Sequence, residues 1–300
     1  MERIYDLIVV GGGPAGYSAA LYAARAGLSV LVLEKLSAGG QMALTDSIDN
    51  YPGFDEGIDG FSLGERMQLG AERFGAVTEL AEVYALDLQG SPKVLETSEG
   101  TFLGRSVVIA TGAGPRELGL PGEQAQAGRR IHYCAACDGM RYRGKTVAVI
   151  GGGNSAVGDA LQLARIAKKV ILIHRRDSLR AEKIHQESLM RAENVEILWN
   201  SIPAELEEKG LILRNALTGE ESRLECDGIF VSIGRKPATE LVKGQLELDE
   251  AGYIIADEST RTNIPGVFAA GDVRTKALRQ VVTAVADGAA AVHFAQEYLG

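Results

Sequence analysis

Apolar residues along the chain occur in short runs that end at glycine-rich turns. The first run, at positions 5–10, is followed by the sequence GGGPAG at 11–16, an alanine-rich segment that extends to Ala26, and a second apolar run at 29–33. Short apolar runs bounded by glycines are typical of buried strands, and an alanine-rich segment between two of them is typical of a helix. The N-terminal region is therefore predicted to fold as a strand, a tight turn, a helix and a second strand.

The same order of elements returns in the middle of the chain. An apolar run at 146–150 leads into the sequence GGGNSA at 151–156, a helical segment to about residue 167, and another apolar run. Glu34 and His174 hold equivalent places at the ends of the second strands of these two units. An internal repeat of this kind indicates two related structural units. Glycine turns in this setting predict two dinucleotide sites.

Two further apolar runs that end beside a glycine lie on either side of the second unit. These runs are residues 106–110 and residues 267–270. The first domain is therefore predicted to be split by the second. We predict an α/β fold of two Rossmann-like dinucleotide-binding domains, in which residues 114–242 are inserted between the two parts of the first domain, 1–113 and 243–300.

Composition narrows the class of protein. The 300 residues are 46% hydrophobic, which is enough for two cores of medium size. The 37 glycines exceed the usual share of about 7%, and the excess lies at predicted strand ends. The net charge of -9, without a long basic run, argues against a nucleic-acid partner. No apolar run reaches about 18 residues and no cleavable leader precedes the first strand, so we expect no membrane association and a cytoplasmic location.

The first glycine turn has the features of a dinucleotide site. Gly11, Gly13 and Gly16 follow a strand and open a helix, so they permit a tight turn, a close approach of the backbone to pyrophosphate and close packing of the helix. Glu34 ends the second strand, where a carboxylate can accept hydrogen bonds from ribose hydroxyls. The alternative is that these glycines serve only a turn.

The second glycine turn is followed by cations instead of a carboxylate. His174, Arg175 and Arg176 end its second strand, and Arg180 lies one helical turn further along. Guanidinium groups at this place can bind a 2'-phosphate, so the second site is predicted to prefer NADPH to NADH. The alternative is a solvated basic face. The polar residues 154–155 at the start of the helix are expected to cap it.

The first site is best interpreted as holding FAD, because two pyridine nucleotides would leave no electron carrier between them and the cysteine pair described next. Gly271 and Asp272 end a strand near the C-terminus, where Asp272 can form a hydrogen bond to a cofactor hydroxyl. A helix predicted to begin near Arg279 and Gln280 would direct its N-terminus toward the flavin. The alternative for Asp272 is an ordinary helix cap or turn.

The two neighbouring cysteines predict redox chemistry. Cys134 and Cys137, at positions i and i+3 of a helical turn, share one face and are close enough for a disulfide. Zinc would need two more ligands at suitable spacing, so we expect thiol–disulfide exchange and no metal. Cys226 is expected to be a buried packing residue. Asp138 is a candidate proton donor or acceptor, with a turn or cap as the alternative. His132, two residues before Cys134, is expected to be structural, with tuning of the thiolate as the alternative.

Taken together, these motifs resemble those of the bacterial low-molecular-weight thioredoxin reductases, which are pyridine nucleotide-disulfide oxidoreductases that use FAD and NADPH. The resemblance runs nearly end to end, and C-x-x-C-D-G just upstream of the second glycine turn is its most specific part. It implies a homodimer that reduces thioredoxin or a thioredoxin-like protein. The motifs are GGGPAG at 11–16, GGQ at 39–41, NYPGF at 50–54, ATG at 110–112, CAACDG at 134–139, GGGNSA at 151–156, HRRDSLR at 174–180 and GD at 271–272.

The resemblance also implies roles for individual residues. Cys137 is the thiol that meets the flavin, Cys134 attacks the partner and Asp138 is the acid. The expected FAD contacts are Gly11, Gly13, Pro14, Ala15, Gly16, Glu34, Gly40, Gln41, Asn50, Ala110, Thr111, Gly112, Gly271, Asp272, Arg279, Gln280 and Val281. The expected NADPH contacts are Gly151, Gly153, Asn154, Ser155, Ala156, His174, Arg175, Arg176 and Arg180.

Two departures from the family pattern matter. Met140 and Arg141 stand where many members have two phenylalanines that grip thioredoxin, which leaves the identity of the partner open. Asn154 replaces the usual acidic residue of the second glycine turn and removes a charge near the pyrophosphate.

Three alternatives remain at the level of the sequence. The flavoprotein component of an alkyl hydroperoxide reductase is similar but carries extra N-terminal redox domains, which this chain is expected to lack. A ferredoxin-NADP reductase would lack the cysteine pair. A non-catalytic flavin- or nucleotide-binding redox sensor would use the disulfide only to change conformation.

Overall fold

The computed structural model describes residues 3–45 and 47–300, which form two compact units. Unit 1 contains the residues before Pro115 together with Lys236–Gly300, and unit 2 contains Pro115–Arg235. Each unit holds one glycine turn and one sheet with parallel strands. The predicted fold class, two Rossmann-like units with one inserted into the sequence of the other, is confirmed.

The described residues contain strands, α-helices and short 3-10 helices in alternation. The strands are β1 (Ile4–Val10), β2 (Val30–Glu34), β3 (Val77–Leu80), β4 (Val83–Asp87), β5 (Lys93–Thr97), β6 (Gly100–Ile109), β7 (Ala113–Pro115), β8 (Ile131–His132), β9 (Thr146–Ile150), β10 (Lys169–Ile173), β11 (Val195–Leu198), β12 (Ser201–Glu207), β13 (Gly210–Asn215), β14 (Glu221–Glu225), β15 (Gly228–Val231), β16 (Arg235–Pro237) and β17 (Val267–Ala269). The α-helices are α1 (Pro14–Arg25), α2 (Gly60–Glu72), α3 (Glu123–Gln126), α4 (Ala135–Asp138), α5 (Asn154–Ala164), α6 (Lys183–Met190) and α7 (Val281–Leu299). The 3-10 helices are Gly40–Leu44, Gly139–Tyr142, Glu240–Val242 and Gly271–Val273.

The sheet of unit 1 has the strand order β3-β2-β1-β6-β5-β4, and β17 pairs in parallel with the end of β6. Its central strand β1 is buried on both faces. Leu7 and Val9 pack against alanines of α1 and α7, whereas Ile8 and Val10 enter a second core on the other face. Alternate residues of a strand point to opposite faces, so a strand covered on both sides requires the continuous apolar run that the sequence has here.

The sheet of unit 2 is parallel and has the order β11-β10-β9-β15-β8. Val147 and Val149 of β9 pack with α5 on one face. Ala148 and Ile150 pack on the other face with residues of β13, which belongs to a three-stranded antiparallel sheet of order β12-β13-β14. The second glycine turn therefore leaves a fully covered strand, as the first one does.

The end of the inserted unit differs from the sequence prediction. The strands β7 and β16, which carry the chain into and out of unit 2, pair as a two-stranded sheet, and unit 2 ends at Arg235 instead of at residue 242. Residues 236–242 belong to unit 1, because the Ala238 amide donates to the Gly112 carbonyl at 3.0 Å and Val242 is buried in the unit 1 core. These contacts join residues far apart in the sequence, so the local turn signal placed the boundary too late.

Several element ends also differ from the sequence prediction. The strand expected at 106–110 extends back to Gly100, because the first half of β6 pairs in antiparallel fashion with β5. Helix α5 ends at Ala164, before the expected residue 167, where the chain tightens and the Ile166 amide donates to the Leu163 carbonyl. None of the helices within 3–45 and 47–300 is both long enough and apolar enough to cross a membrane.

Candidate active site

The first glycine turn has the close packing that a phosphate-binding loop requires. Gly11 has φ +108°, and a Cβ atom on it would lie 2.5 Å from the Ala110 carbonyl oxygen. A Cβ on Gly16 would lie 1.9 Å from the carbonyl oxygen of Gly11. Gly13, in contrast, faces open space, and helix α1 begins after it at Pro14 without a side-chain cap. The opening and the uncapped N–H groups fit an anionic group such as a pyrophosphate.

Glu34 is fixed beneath this turn. One carboxylate oxygen accepts a hydrogen bond from the Gly12 amide at 2.6 Å, and the other accepts from the Leu36 amide at 2.9 Å. A carboxylate has about four lone-pair sites, so each oxygen can accept a further hydrogen bond. The sequence placed Glu34 at the end of β2, and the structure adds that its orientation is set by the turn itself.

Gly40 packs against the same turn, and two further residues expected to contact FAD contact each other elsewhere in unit 1. A Cβ on Gly40 would lie 3.5 Å from the Gly13 Cα, and Gln41 follows on the exposed side of the 3-10 helix. The Asn50 amide donates to the Gln280 side-chain oxygen at 3.0 Å. Residues far apart in the sequence are therefore neighbours here.

The end of strand β6 and the turn after β17 complete this arrangement. Thr111 donates its hydroxyl hydrogen to the Ala238 carbonyl at 2.7 Å. A Cβ on Gly271 would lie 2.9 Å from the Cβ of Ala15, so this turn packs on the first residues of α1. Asp272 lies in the same 3-10 turn, a setting that fits both the cofactor interpretation and the turn interpretation.

The segment before α7 is ordered by its own hydrogen bonds. The Arg279 guanidinium donates to the carbonyl groups of Asp272, Arg274 and Lys276 and stacks over the Tyr253 ring at 4.0 Å. Helix α7 begins at Val281, and a capping box closes its N-terminus: the Gln280 side chain accepts from the Thr283 amide, and the Thr283 hydroxyl accepts from the Gln280 amide at 3.1 Å. The helix start predicted near residues 279–280 is confirmed.

A buried charge cluster that the sequence did not predict supports this segment. Asp287 on α7 receives hydrogen bonds from Arg274 at 2.9 and 2.8 Å, from Lys276 at 2.7 Å and from the Gly271 amide at 2.9 Å. Burial alone would raise the pKa of Asp287, but the hydrogen bonds and charges of Arg274 and Lys276 hold it below its ordinary value. The sequence feature that could have indicated this cluster is a single acidic residue, Asp287, in a stretch of helix that otherwise holds apolar and small residues.

Replacing Asp287 by asparagine is expected to lower the free energy of unfolding by about 3–5 kcal/mol, because two buried cations lose their counter-charge. The matched control is Glu297→Gln, which removes half of an exposed pair with Arg261 and is expected to cost about 1 kcal/mol or less. Thermal and denaturant unfolding measure both.

A comparison of the wild type with Asp287→Asn also tests how the contribution of Asp287 to the free energy of unfolding depends on pH. Because the folded state depresses the pKa of Asp287, its contribution is present above the ordinary aspartate pKa of 3.8 and is lost as the pH falls below it. The difference in unfolding free energy between the wild type and Asp287→Asn should therefore be constant near neutral pH and shrink in acid. A difference that grows in acid would contradict the charge assignment.

The second glycine turn repeats the geometry of the first. A Cβ on Gly151 would lie 2.4 Å from the Ser232 carbonyl oxygen and 2.6 Å from the Ala156 Cβ, whereas Gly153 faces open space. Helix α5 begins at Asn154 without a side-chain cap, so the expectation that Asn154 and Ser155 cap it is wrong. The Asn154 amide group instead exchanges two hydrogen bonds with Glu182, at 3.1 and 2.8 Å, and this leaves the N–H groups at the helix start available.

The basic residues after β10 lie beside this turn. His174 is buried, with its Nε2 atom 3.0 Å from the Ser178 carbonyl oxygen, and a Cβ on Gly152 would meet its ring at 2.2 Å. Burial lowers the pKa of His174, and the nearby Arg180 and Arg175 lower it further. His174 therefore packs against the glycine turn at Gly152, and its ring is neutral at pH 7.

Three guanidinium groups remain exposed at this place. Within the described part of the chain, Arg175, Arg176 and Arg180 form no ion pair with a carboxylate. The Arg180 amide donates to the Gly152 carbonyl at 2.7 Å, which holds this residue beside the glycine turn. Unneutralised cations next to an open helix N-terminus suit a phosphate better than a face whose cations already have partners.

Cys134 and Cys137 form a disulfide, as the sequence predicted. Their Cα atoms are 5.3 Å apart, Cys134 is the N-cap of α4, and its sulfur accepts a hydrogen bond from the Cys137 amide at 3.2 Å. Both residues are partly exposed. No group of three or more possible metal ligands occurs in the part of the chain described. Cys226 is buried, as the sequence analysis expected, and burial raises the pKa of its thiol to about 11.

The residues around the disulfide include a contact that sequence reasoning missed. Asp138 is buried, and one of its carboxylate oxygens lies 3.3 Å from Nδ1 of His132. The Arg141 guanidinium lies 3.7 Å from the other oxygen and donates to the Gly128 carbonyl at 3.0 Å. Met140 is 53% exposed. The Arg141 side chain thus turns toward Asp138, whereas the apolar side chain of Met140 faces solvent.

Comparisons with known proteins extend these observations. The family model described as pyridine nucleotide-disulphide oxidoreductase matches residues 5–288. The thioredoxin reductase of Peptoclostridium acidaminophilum is 43% identical over 309 residues, covering 100% of this chain and 98% of that protein. The thioredoxin reductase of Treponema pallidum is 44% identical over 303 residues, with the same coverage.

The fold agrees with that of a solved relative. The crystal structure of thioredoxin reductase from Streptococcus pyogenes superposes with a TM-score of 0.92 at 41% identity, covering 100% of this chain and 99% of that one. Thioredoxin reductases of this family use FAD and NADPH, and both glycine turns have room for a dinucleotide phosphate. The chain therefore belongs to the pyridine nucleotide-disulphide oxidoreductases, as an NADPH-dependent flavoprotein of the bacterial low-molecular-weight thioredoxin reductase type.

Proposed function

We propose that this protein is a thioredoxin-disulfide reductase, in which electrons pass from NADPH through FAD to the Cys134–Cys137 disulfide and then to thioredoxin or a thioredoxin-like protein. The observation that carries the proposal is the disulfide itself, formed at the start of the short helix α4 in unit 2. A carrier that only bound nucleotides would need no such pair.

Unit 1 is proposed as the FAD domain. Gly11, Gly13 and Gly16 would receive the pyrophosphate at the open start of α1, and Glu34 would accept hydrogen bonds from the ribose. The other contacts to FAD would come from Pro14, Ala15, Gly40, Gln41, Asn50, Ala110, Thr111, Gly112, Gly271, Asp272, Arg279, Gln280 and Val281. FAD supplies the chemistry that side chains lack, since it accepts a hydride from NADPH and passes two electrons on.

Unit 2 is proposed as the NADPH domain. The open turn at Gly151 and Gly153 and the first residues of α5 (Asn154, Ser155 and Ala156) would bind the pyrophosphate. Arg175, Arg176 and Arg180 would bind the 2'-phosphate. The burial of His174 beneath the turn favours a supporting role for this residue over direct contact with the nucleotide.

The dithiol form of the pair would perform the exchange. The Cys134 thiolate attacks one sulfur of the partner disulfide, that S–S bond breaks, and the departing partner thiolate takes a proton from Asp138. Cys137 then attacks the Cys134 sulfur, which re-forms the Cys134–Cys137 bond and releases the second partner thiolate. The second partner thiolate also takes its proton from Asp138, which has received it from the Cys137 thiol. Two electrons and two protons move from the enzyme to the partner.

The partner's identity is tested by measuring NADPH oxidation with the FAD-loaded protein. Oxidised thioredoxin and the disulfide form of a peroxidase system should be compared at equal concentration. Steady NADPH oxidation with thioredoxin is expected. Preference for the peroxidase disulfide would point to the alternative that Met140 and Arg141 leave open, a reductase of a different small redox protein. No turnover with any protein disulfide would favour a redox sensor and overturn the proposal.

We further propose a homodimer in the cytoplasm, as in the family that the chain belongs to. The described helices offer no membrane span, and the fold and disulfide chemistry require none. Sedimentation of the FAD-loaded protein at micromolar concentration tests the oligomeric state. If the FAD-loaded protein sediments as a monomer and is fully active in that state, the proposed dimer is wrong.

A further inference from the structure

His132 is a buried residue with a polar atom that lacks a well-aligned partner. Its side chain is inaccessible to solvent, and Nδ1 has no hydrogen-bond partner within the described residues. The carboxylate of Asp138 lies 3.3 Å from this nitrogen. Buried polar groups are nearly always paired, so a small movement of Asp138 or of the ring would complete this contact. The two groups face each other directly beside the redox pair.

The other side of the imidazole ring is held in place. Nε2 lies 2.7 Å from the Tyr142 hydroxyl oxygen, and that hydroxyl lies 3.2 Å from the Arg129 carbonyl. Burial raises the pKa of Tyr142, so the hydroxyl keeps its single proton at neutral pH. The ring also packs between the aromatic rings of Tyr142 and Phe230, each with its centroid 5.3 Å away. The imidazole is therefore fixed in orientation.

Counting protons along this chain of groups leaves two arrangements. If Tyr142 donates to the Arg129 carbonyl, Nε2 must carry a hydrogen to donate to Tyr142, and a further proton must lie between Nδ1 and Asp138. If Tyr142 donates to Nε2, the hydrogen sits on Nδ1 and is donated to the Asp138 carboxylate. The two arrangements differ by one proton. Both pair the imidazole with Asp138 and with the Tyr142 hydroxyl, and the second withdraws the Tyr142 proton from the Arg129 carbonyl.

We propose that His132 is a positioning residue for Asp138, which it keeps aligned beside Cys134 and Cys137 through Nδ1 in both the protonated and the ionised state of the carboxylate. The proposal rests on the proposed function, in which Asp138 supplies a proton to the thiolate released from the partner disulfide. Arg141, 3.7 Å from the second carboxylate oxygen, is the other charged group at this site. Arg141 stabilises only the ionised form, whereas His132 can bind both forms.

The experiment replaces His132 by asparagine or by glutamine. Each side-chain amide places a polar group near one of the two ring nitrogens of the histidine. In His132→Asn the amide lies near the place of Nδ1 and can both donate to and accept from Asp138. In His132→Gln the amide reaches the place of Nε2, beside Tyr142, and the Asp138 oxygen that faces Nδ1 loses its neighbour. Phe230→Leu is the packing control, because it disturbs the same aromatic contacts without removing a proton-carrying group.

The readout is the single-turnover rate of NADPH-reduced holoenzyme with two disulfides. Oxidised thioredoxin releases a basic thiolate that needs a proton, whereas a nitroaromatic disulfide dye releases a weakly basic thiolate that leaves without one. A positioned acid contributes about 10²- to 10⁴-fold. His132→Gln should therefore lose about tenfold or more in the thioredoxin rate relative to the dye rate. His132→Asn should restore most of this ratio, and Phe230→Leu should leave the ratio unchanged.

The possible results separate this inference from the proposed function. Equal ratios in the Gln, Asn and wild-type proteins, or losses of equal size with both substrates, would overturn the role of His132 while thioredoxin reduction stands. A wild-type protein that reduces the dye but no protein disulfide would overturn the proposed function itself. Asp138→Asn should lower the same ratio at least as much as His132→Gln, and a smaller effect would show that His132 does not act through Asp138.

Discussion

Replacing Cys134 or Cys137 by serine is expected to abolish turnover with a protein disulfide, by about a thousandfold or more, while NADPH still reduces bound FAD. Serine forms no disulfide and its hydroxyl does not ionise near neutral pH, so only the last transfer is cut. Stopped-flow absorbance of the flavin measures the first half-reaction, and NADPH oxidation with thioredoxin measures the whole cycle.

The two serine variants should also differ from each other. Cys134→Ser leaves Cys137 without its partner sulfur, and Cys137→Ser leaves Cys134 able to attack and then trapped as a mixed disulfide with the partner protein. Mass spectrometry should find that adduct only in the second variant. The matched control is Cys226→Ser, because Cys226 is buried and its thiol pKa is raised to about 11, and its turnover should match the wild type. Full turnover in both redox variants would disprove the assignment.

The double substitution of Arg175 and Arg176 by alanine is expected to weaken NADPH binding selectively. Each charge-assisted hydrogen bond contributes roughly 1.5–3 kcal/mol, which is about tenfold or more in affinity per contact. The KM for NADPH should therefore rise by about a hundredfold, and the KM for NADH should change little, because NADH has no 2'-phosphate. The preference between the two nucleotides, measured as a ratio of kcat/KM values, is the decisive quantity.

Arg191→Ala provides the control for this loss of charge. Arg191 is an exposed arginine of unit 2 that pairs with Glu187 at 3.3 Å, outside the segment at 174–180. Its replacement should leave the nucleotide preference intact. If the double variant keeps the wild-type preference, the 2'-phosphate site lies elsewhere and the exposed arginines form only a solvated basic face.

Local patterns predicted much of the fold. The glycine turns at 11–16 and 151–156 and the apolar runs before them are short-range signals, and the structure has the expected strand, turn and helix in both places. The disulfide was also predicted, because the i, i+3 spacing of Cys134 and Cys137 fixes their distance in any helical turn.

Long-range contacts account for what the sequence did not predict. The unit boundary at Arg235 depends on the pairing of residues 236–242 with unit 1. The cluster around Asp287 depends on the packing of α7 against the turn at Gly271. The contact between His132 and Asp138 arises because β8 ends opposite α4, and a lone histidine at a strand end gave no sign of its partner.

An anaerobic titration of the purified holoprotein with NADPH shows directly whether electrons from NADPH reach Cys134 and Cys137 through FAD. About two NADPH should be consumed per chain, because flavin and disulfide each take two electrons, and alkylation should then label Cys134 and Cys137. The same protein stripped of FAD should consume no NADPH and keep its disulfide. Flavin reduction that stops at about one NADPH per chain, with Cys134 and Cys137 still resistant to alkylation, would contradict this route.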